Sequence, residues 1–107
     1  MSSRIEHPSP PSRADMAGHK AFARALASAS RLVILSALAS GDRPTTELRE
    51  MLGVSGPLLS WHLRVLKQEG LVSARRRGRG ACYHLNKAEL MRKYQILIQQ
   101  TAGPNGK

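Results

Sequence analysis

The sequence predicts a mainly α-helical winged helix-turn-helix, with about five helices and a two-stranded β-hairpin wing. The first observation behind this is the stretch TTELREMLGVSGPLLSWHLRVLKQEG, residues 45–70. Thr45 is placed to cap a short helix with Leu48, Met51 and Leu52 on one side, and Gly53 breaks it with the positive φ that a sharp stop needs. Ser55 then caps a second helix, Pro57 is tolerated in its first turn, and Leu59, Leu63 and Leu66 recur at i, i+4, i+7 as one buried stripe. Ser60, Trp61, Arg64 and Lys67 are left on the outer side, where a reading helix meets a DNA major groove. The second observation is LVSARRRGRGACYHL, directly after Gly70: a strand, an arginine-glycine tip and a returning strand. The third is charge. Six Arg or Lys stand between Arg64 and Arg79 against one acid, Glu69, in a chain of net charge +10. That concentration reads as a phosphate-binding footprint rather than general solubility charge, with a solvated basic face as the alternative.

In chain order, residues 1–11 are rich in Ser and Pro and read as a disordered arm. Ser12 with Asp15 resembles a capping box opening a first helix, whose apolar side is Met16, Phe22, Ala23, Leu26 and Ala27. Ser28 caps the next helix, with Leu32, Val33, Leu35, Ala37 and Leu38 facing inward and Gly41 closing it. Arg31 stands in that helix's first turn, a poor place for a cation; a specific partner such as a carboxylate or phosphate would explain it, and so would chance. Residues 42–44 are a link. After the wing, Asn86 and Glu89 form a box-like cap for a last helix carrying Leu90, Met91, Tyr94, Leu97 and Ile98 as a wide apolar stripe. Residues 12–101 are therefore the folded domain and 102–107 a flexible tail.

One domain with a modest core fits 107 residues. A single cysteine excludes an intramolecular disulfide and suits a reducing cytoplasm. No apolar run approaches the length of a membrane span, and the N-terminus lacks a signal peptide's apolar core, so a cytoplasmic protein is expected. No HExxH, phosphate loop, nucleophile elbow or catalytic carboxylate pair is present, and Ser60 and His62 are two apart on one helix and face different ways. An enzyme is not expected.

From about Leu26 to Leu85 the chain resembles the arsenic-repressor (ArsR/SmtB) family of winged-helix transcription regulators. The resemblance rests on Ser60-x-His62-Leu63, Leu66, Gly70-Leu71-Val72, the Gly78 tip and Tyr83-x-Leu85. It implies a bacterial, homodimeric repressor of double-stranded DNA. It also implies contacts through the positions held here by Gly56, Pro57, Leu58, Ser60, Trp61 and His62, to which the residues themselves add Arg64 in the reading helix and Arg75, Arg76, Arg77 and Arg79 in the wing. Glycine, proline and leucine offer few donors, so base reading would lean on Ser60, Arg64, thymine methyl contacts and DNA shape. Trp61 replaces a position that is often polar or basic in the family; packing over sugar and phosphate is one reading, shielding the core the other. Met16 and Phe22 on the first helix, and Leu90, Met91, Tyr94, Leu97 and Ile98 on the last, are the expected dimer surface, because leaving that area wet is unfavourable at about 25 cal/mol per Å².

Sensing is the other half of what the resemblance implies, and both usual sites lack their ligands. The region 44–48 has no cysteine, and residues 87–101 have no histidine. His7, His19 and His84 remain as metal candidates; the resemblance implies that N-terminal histidines can bind nickel or zinc, which leaves a weak site between subunits at His7 and His19 open. Cys82 and His84 share a strand face, but two ligands are too few for a closed site. Two rivals stay open: a basic protein binding nucleic acid without sequence preference, and a regulator gated by a partner protein rather than a small inducer.

Overall fold

The computed structural model describes residues 12–102, so the expected arm at 1–11, His7 within it, and residues 103–107 lie outside the described residues. Five helices and a three-stranded sheet follow in the order α1 (Arg13–Leu26), α2 (Ala29–Ala39), β1 (Arg43–Pro44), α3 (Thr45–Leu52), α4 (Gly56–Gln68), β2 (Val72–Arg77), β3 (Gly80–Leu85) and α5 (Lys87–Ala102). The expected capping box opens α1: the Ser12 hydroxyl accepts from the Asp15 amide at 3.1 Å, and the Asp15 carboxylate accepts from the Ser12 amide at 3.3 Å. Ser28 caps α2 and Ser55 caps α4 by simpler one-way bonds, their hydroxyls accepting from the Arg31 and Leu58 amides. Gly53, at φ 64°, makes the turn between α3 and α4.

Ile34, Leu48, Leu59, Leu66 and Leu71 are the largest fully buried side chains, drawn from α2, α3, α4 and the approach to the wing. The phase of α2 differs from expectation. Leu32 and Val33 are 50% and 43% exposed, while Ile34 is fully buried. The inward stripe is Arg31, Ile34, Leu35 and Leu38, at i, i+3, i+4, i+7, and its first member is a cation, which disguised the period.

Three local expectations are corrected. Residues 43–44 are not a bare link: β1 pairs antiparallel with β3, Arg43 opposite Tyr83 and Pro44 opposite Cys82, giving the order β1-β3-β2. Proline is tolerated there because β1 is an edge strand. Thr45 does not cap α3; its hydroxyl donates to the Ala81 carbonyl of β3 at 3.2 Å, and Pro44 holds the cap position without a side-chain bond. Asn86 and Glu89 do not form a box. The Asn86 amide donates to the Gly70 carbonyl at 2.9 Å, and the Glu89 carboxylate accepts from Arg92 at 3.0 and 2.7 Å. The Asn86 side chain ties the start of α5 to the end of α4, which local sequence spacing does not reveal, while Glu89 pairs within α5.

Candidate nucleic-acid interface

The outward face of α4 is made by what its inward stripe leaves behind. With Leu59, Leu63 and Leu66 buried, Pro57, Leu58, Ser60, Trp61 and Arg64 are exposed and Gly56 is half-buried. The first turn of α4 carries no acid, so its amide dipole ends are available to an anion such as a DNA phosphate. Arg49 of α3 lies beside that turn: a Cβ added to Gly56 would be 3.8 Å from its guanidinium. Nothing in the sequence marks Arg49 for this place, because an exposed arginine on a short helix carries no periodic signal.

The wing brings a second set of cations to the surface. Arg75, Arg76, Arg77 and Arg79 are all exposed. Successive strand residues point to opposite faces, so Arg76 stands on one side of the hairpin and Arg75 and Arg77 on the other. Arg75 lies 3.9 Å from the Asp42 carboxylate, which also meets His84 Nδ1 at 2.8 Å. The carboxylate of the α2–β1 turn thus holds the root of the wing from one face, leaving the outer arginines as its free positive end.

His62 is placed differently from its expected neighbours. It is 7% exposed, and its Nδ1 lies 3.1 Å from a terminal nitrogen of Arg31, itself 6% exposed. The expected DNA contact by His62 is therefore corrected to an internal one. Arg31 also answers the question its position raised: it donates to the Ala25 carbonyl at 2.8 Å and the Arg24 carbonyl at 2.7 Å, and its guanidinium carbon sits 5.2 Å from the centre of the Trp61 ring. Its partners are carbonyl dipoles, an imidazole and an indole, rather than a carboxylate or phosphate. Burial, and secondarily the Arg31 charge, hold the His62 pKa below its ordinary 6.5. The unfolded chain therefore binds a proton on His62 at a pH where the folded chain does not. The stability this group contributes is full above 6.5 and is lost as pH falls below 6.5 towards the folded-state value. Urea unfolding at a series of pH values should show that loss, and it should be smaller in a His62→Asn variant, which has no titrating ring.

The expected dimer residues divide. Met16, Met91, Tyr94 and Ile98 are 47%, 54%, 49% and 38% exposed. Phe22 is 3% exposed and belongs to the protomer's own core, and Leu90 and Leu97 pack partly against that core. Phe22 is corrected accordingly: its side chain is packed within the protomer rather than presented outward. An almost wholly apolar groove of about 390 Å³ runs between α2 and α5, lined by Leu26, Leu32, Leu35, Leu90, Met91 and Tyr94 among others.

Of the metal candidates, His84 has Asp42 as its neighbour and His19 is half-buried beside α5 in a cavity shared with Glu69 and Lys93. Among the described residues, no group of three or more His, Cys, Asp or Glu is placed to hold a metal ion. The described residues do not by themselves fit such a site. No single helix among them is long and apolar enough to cross a membrane.

The arrangement of α4 and the hairpin has counterparts among known proteins. A model of the arsR family of bacterial regulatory proteins matches residues 28–74. The transcriptional repressor SdpR of Bacillus subtilis is 35% identical over 63 residues, covering 59% of this chain and 70% of that protein. The chain belongs to the arsR family. Another relative, the HTH-type transcriptional regulator NmtR of Mycobacterium tuberculosis, is 45% identical over 62 residues, covering 58% of this chain and 52% of NmtR, so the chain spans about half of that relative's length. Among solved structures, the homodimeric winged helix-turn-helix DNA-binding domain of a possible ArsR-family regulator from Mycobacterium bovis superposes with a TM-score of 0.68 at 29% identity, covering 91% of this chain and 86% of that one. The arsR-family match takes in α2, α3, α4 and the start of β2; it includes Arg49 and the outward face of α4 and ends before the wing arginines.

Proposed function

We propose that this arsR-family chain is a sequence-specific regulator of transcription that binds double-stranded DNA as a homodimer and represses from an inverted-repeat operator in the bacterial cytoplasm. The observation that carries the reading is one exposed helix face, Ser60, Trp61 and Arg64, beside a wing whose arginines are also exposed. Residues 12–101 are the unit that does this. In the reading, Gly56, Pro57 and Leu58 bring the first turn of α4 close to the duplex, and Ser60 and Arg64 donate to base edges. The wing arginines and Arg49 contact phosphates. The rival reading, a basic protein without sequence preference, differs in its specificity ratio rather than in bare affinity. Selection of bound fragments from genomic DNA, followed by competition at about 0.15 M salt, decides between them: enrichment of an inverted repeat by about a thousandfold over bulk DNA supports the regulator. Equal binding of all fragments removes it.

A response to nickel or zinc would draw on His7 and His19 of the N-terminal segment, since thiolate is scarce and imidazole suits both ions. Calorimetric titration with nickel and with zinc is expected to give binding that a His7→Ala/His19→Ala double variant abolishes. Binding that survives the double change moves the ligands elsewhere, with His84 and Glu89 next. No heat with either ion removes the metal reading and leaves control to a partner protein or to expression level.

A further inference from the structure

We propose that Arg31 is a positioning residue for DNA recognition: it fixes the reading helix α4 to the end of α1, and so sets the spacing and angle of the two reading helices in a dimer. The inference rests on the dimeric regulator proposed above.

Arg31 is buried in the first turn of α2, where that helix's own dipole disfavours a cation. The compensation comes from α1. The last carbonyls of a helix lack intrahelical partners, and those of Arg24 and Ala25 receive Nη2 and Nε of Arg31. The third nitrogen, Nη1, reaches across to α4 and meets His62 Nδ1. A guanidinium has no acceptor and stays protonated, so it must donate here; Nδ1 of His62 accepts, and the proton of the neutral imidazole stands on Nε2. The same guanidinium lies behind the Trp61 ring, whose other side is half-exposed on the reading face. Residues 61 and 62 of the reading helix are thus held from behind by one planar fork, with its three nitrogens committed in fixed directions.

The far end of α4 is held as well. The Lys93 amine of α5 donates to the Glu69 carbonyl at 2.6 Å and to its carboxylate at 3.1 Å. The reading helix is therefore tied at its middle to α1 and at its end to α5, and both of these helices expose apolar side chains, Met16 on one and Met91 and Tyr94 on the other. A change of one base pair between half-sites moves them by about 3.4 Å and turns them by about 34°. A helix held by a rigid fork resists that change, and one held by packing alone can follow it. Lysine, with a single nitrogen on a flexible stem, does not reproduce the fork.

The test uses the full chain, the operator enriched by selection, and versions of it with half-sites moved by one base pair at a time. Wild type is expected to favour one spacing over its neighbours by about tenfold, and Arg31→Lys to reduce that preference to about threefold or less while holding a single half-site within about threefold of wild type. Nitrogen NMR of the imidazole should show the Nε2–H tautomer of His62 in wild type and a mixture in Arg31→Lys. Where Arg31→Lys fails to fold, His62→Leu and His62→Asn give the same comparison. Leucine removes the acceptor and should lose the preference, whereas the asparagine oxygen takes the place of Nδ1 and should keep it. A spacing preference retained in Arg31→Lys, or equal behaviour of the two His62 variants, overturns the proposal alone. A wild type with no preferred spacing overturns it together with the regulator reading.

Discussion

A Met91→Glu/Tyr94→Glu variant is expected to be monomeric in light scattering and to lose operator affinity by on the order of a hundredfold or more. Both side chains are about half exposed on α5, and both line the apolar groove that opens between α2 and α5. Two carboxylates there would have to be desolvated in any interface that covers the groove, at a penalty of several kcal/mol each. Linking two half-sites through one interface raises the effective concentration of the second, so monomers forfeit that gain even with every DNA-facing side chain intact. These positions are better probes than Leu97, which packs partly against the protomer's own core, so that Leu97→Glu would confound dimerisation with folding. The fold of the variant is checked by circular dichroism. A folded variant that stays dimeric would place the interface away from this groove, with Met16 of α1 the next exposed apolar side chain to change.

What the sequence disclosed about this molecule is what local rules and a single period can carry. Gly53, Ser55 and the stripe Leu59, Leu63, Leu66 specify the turn and α4 among themselves, because each acts within its own helix or the turn beside it. The Ser12–Asp15 box is equally local and stands as expected. The departures come from residues far apart in the chain that the fold brings together. β1 is two residues long, one of them proline, and exists only because β3 lies beside it. Asn86 looks like a helix cap until Gly70, sixteen positions earlier, is brought to its amide. Arg31 looks misplaced until the end of α1 folds back over it at a bend of 81° between α1 and α2. The same residue explains two further departures, since it occupies the first place in the inward stripe of α2 and takes His62 inward with it. On the outward face of α4, exposure of Ser60, Trp61 and Arg64 was legible from helical phase alone. The nearness of Arg49 was not, because it depends on how α3 turns into α4.

Replacing Arg76 and Arg77 of the wing by alanine should weaken binding to every DNA sequence alike, by on the order of tenfold for each charged hydrogen bond to phosphate that is removed. The two residues are adjacent in β2 and so point to opposite faces of the hairpin, opposite Ala81 and Gly80 of β3. A duplex lying against the tip can meet one from its backbone and the other from the adjacent groove edge, and the double change removes both possibilities. Neither arginine is needed for the fold. Both are exposed, and the wing is anchored at its root by buried Val72, Cys82 and Leu85. The distinguishing quantity is the salt dependence. Each phosphate neutralised by a cation releases condensed counterions, so the slope of log affinity against log salt should fall by about one for each phosphate no longer neutralised, equally for the operator and for bulk DNA. Arg75→Ala is the internal comparison, because Arg75 lies near the Asp42 carboxylate and is partly neutralised before any DNA arrives. Its effect on the slope should be smaller than that of either outer arginine. If the double variant instead lost affinity for the operator alone, with bulk binding and its slope unchanged, the wing would be reading bases, and Arg76 and Arg77 would join Ser60 and Arg64 in setting the sequence.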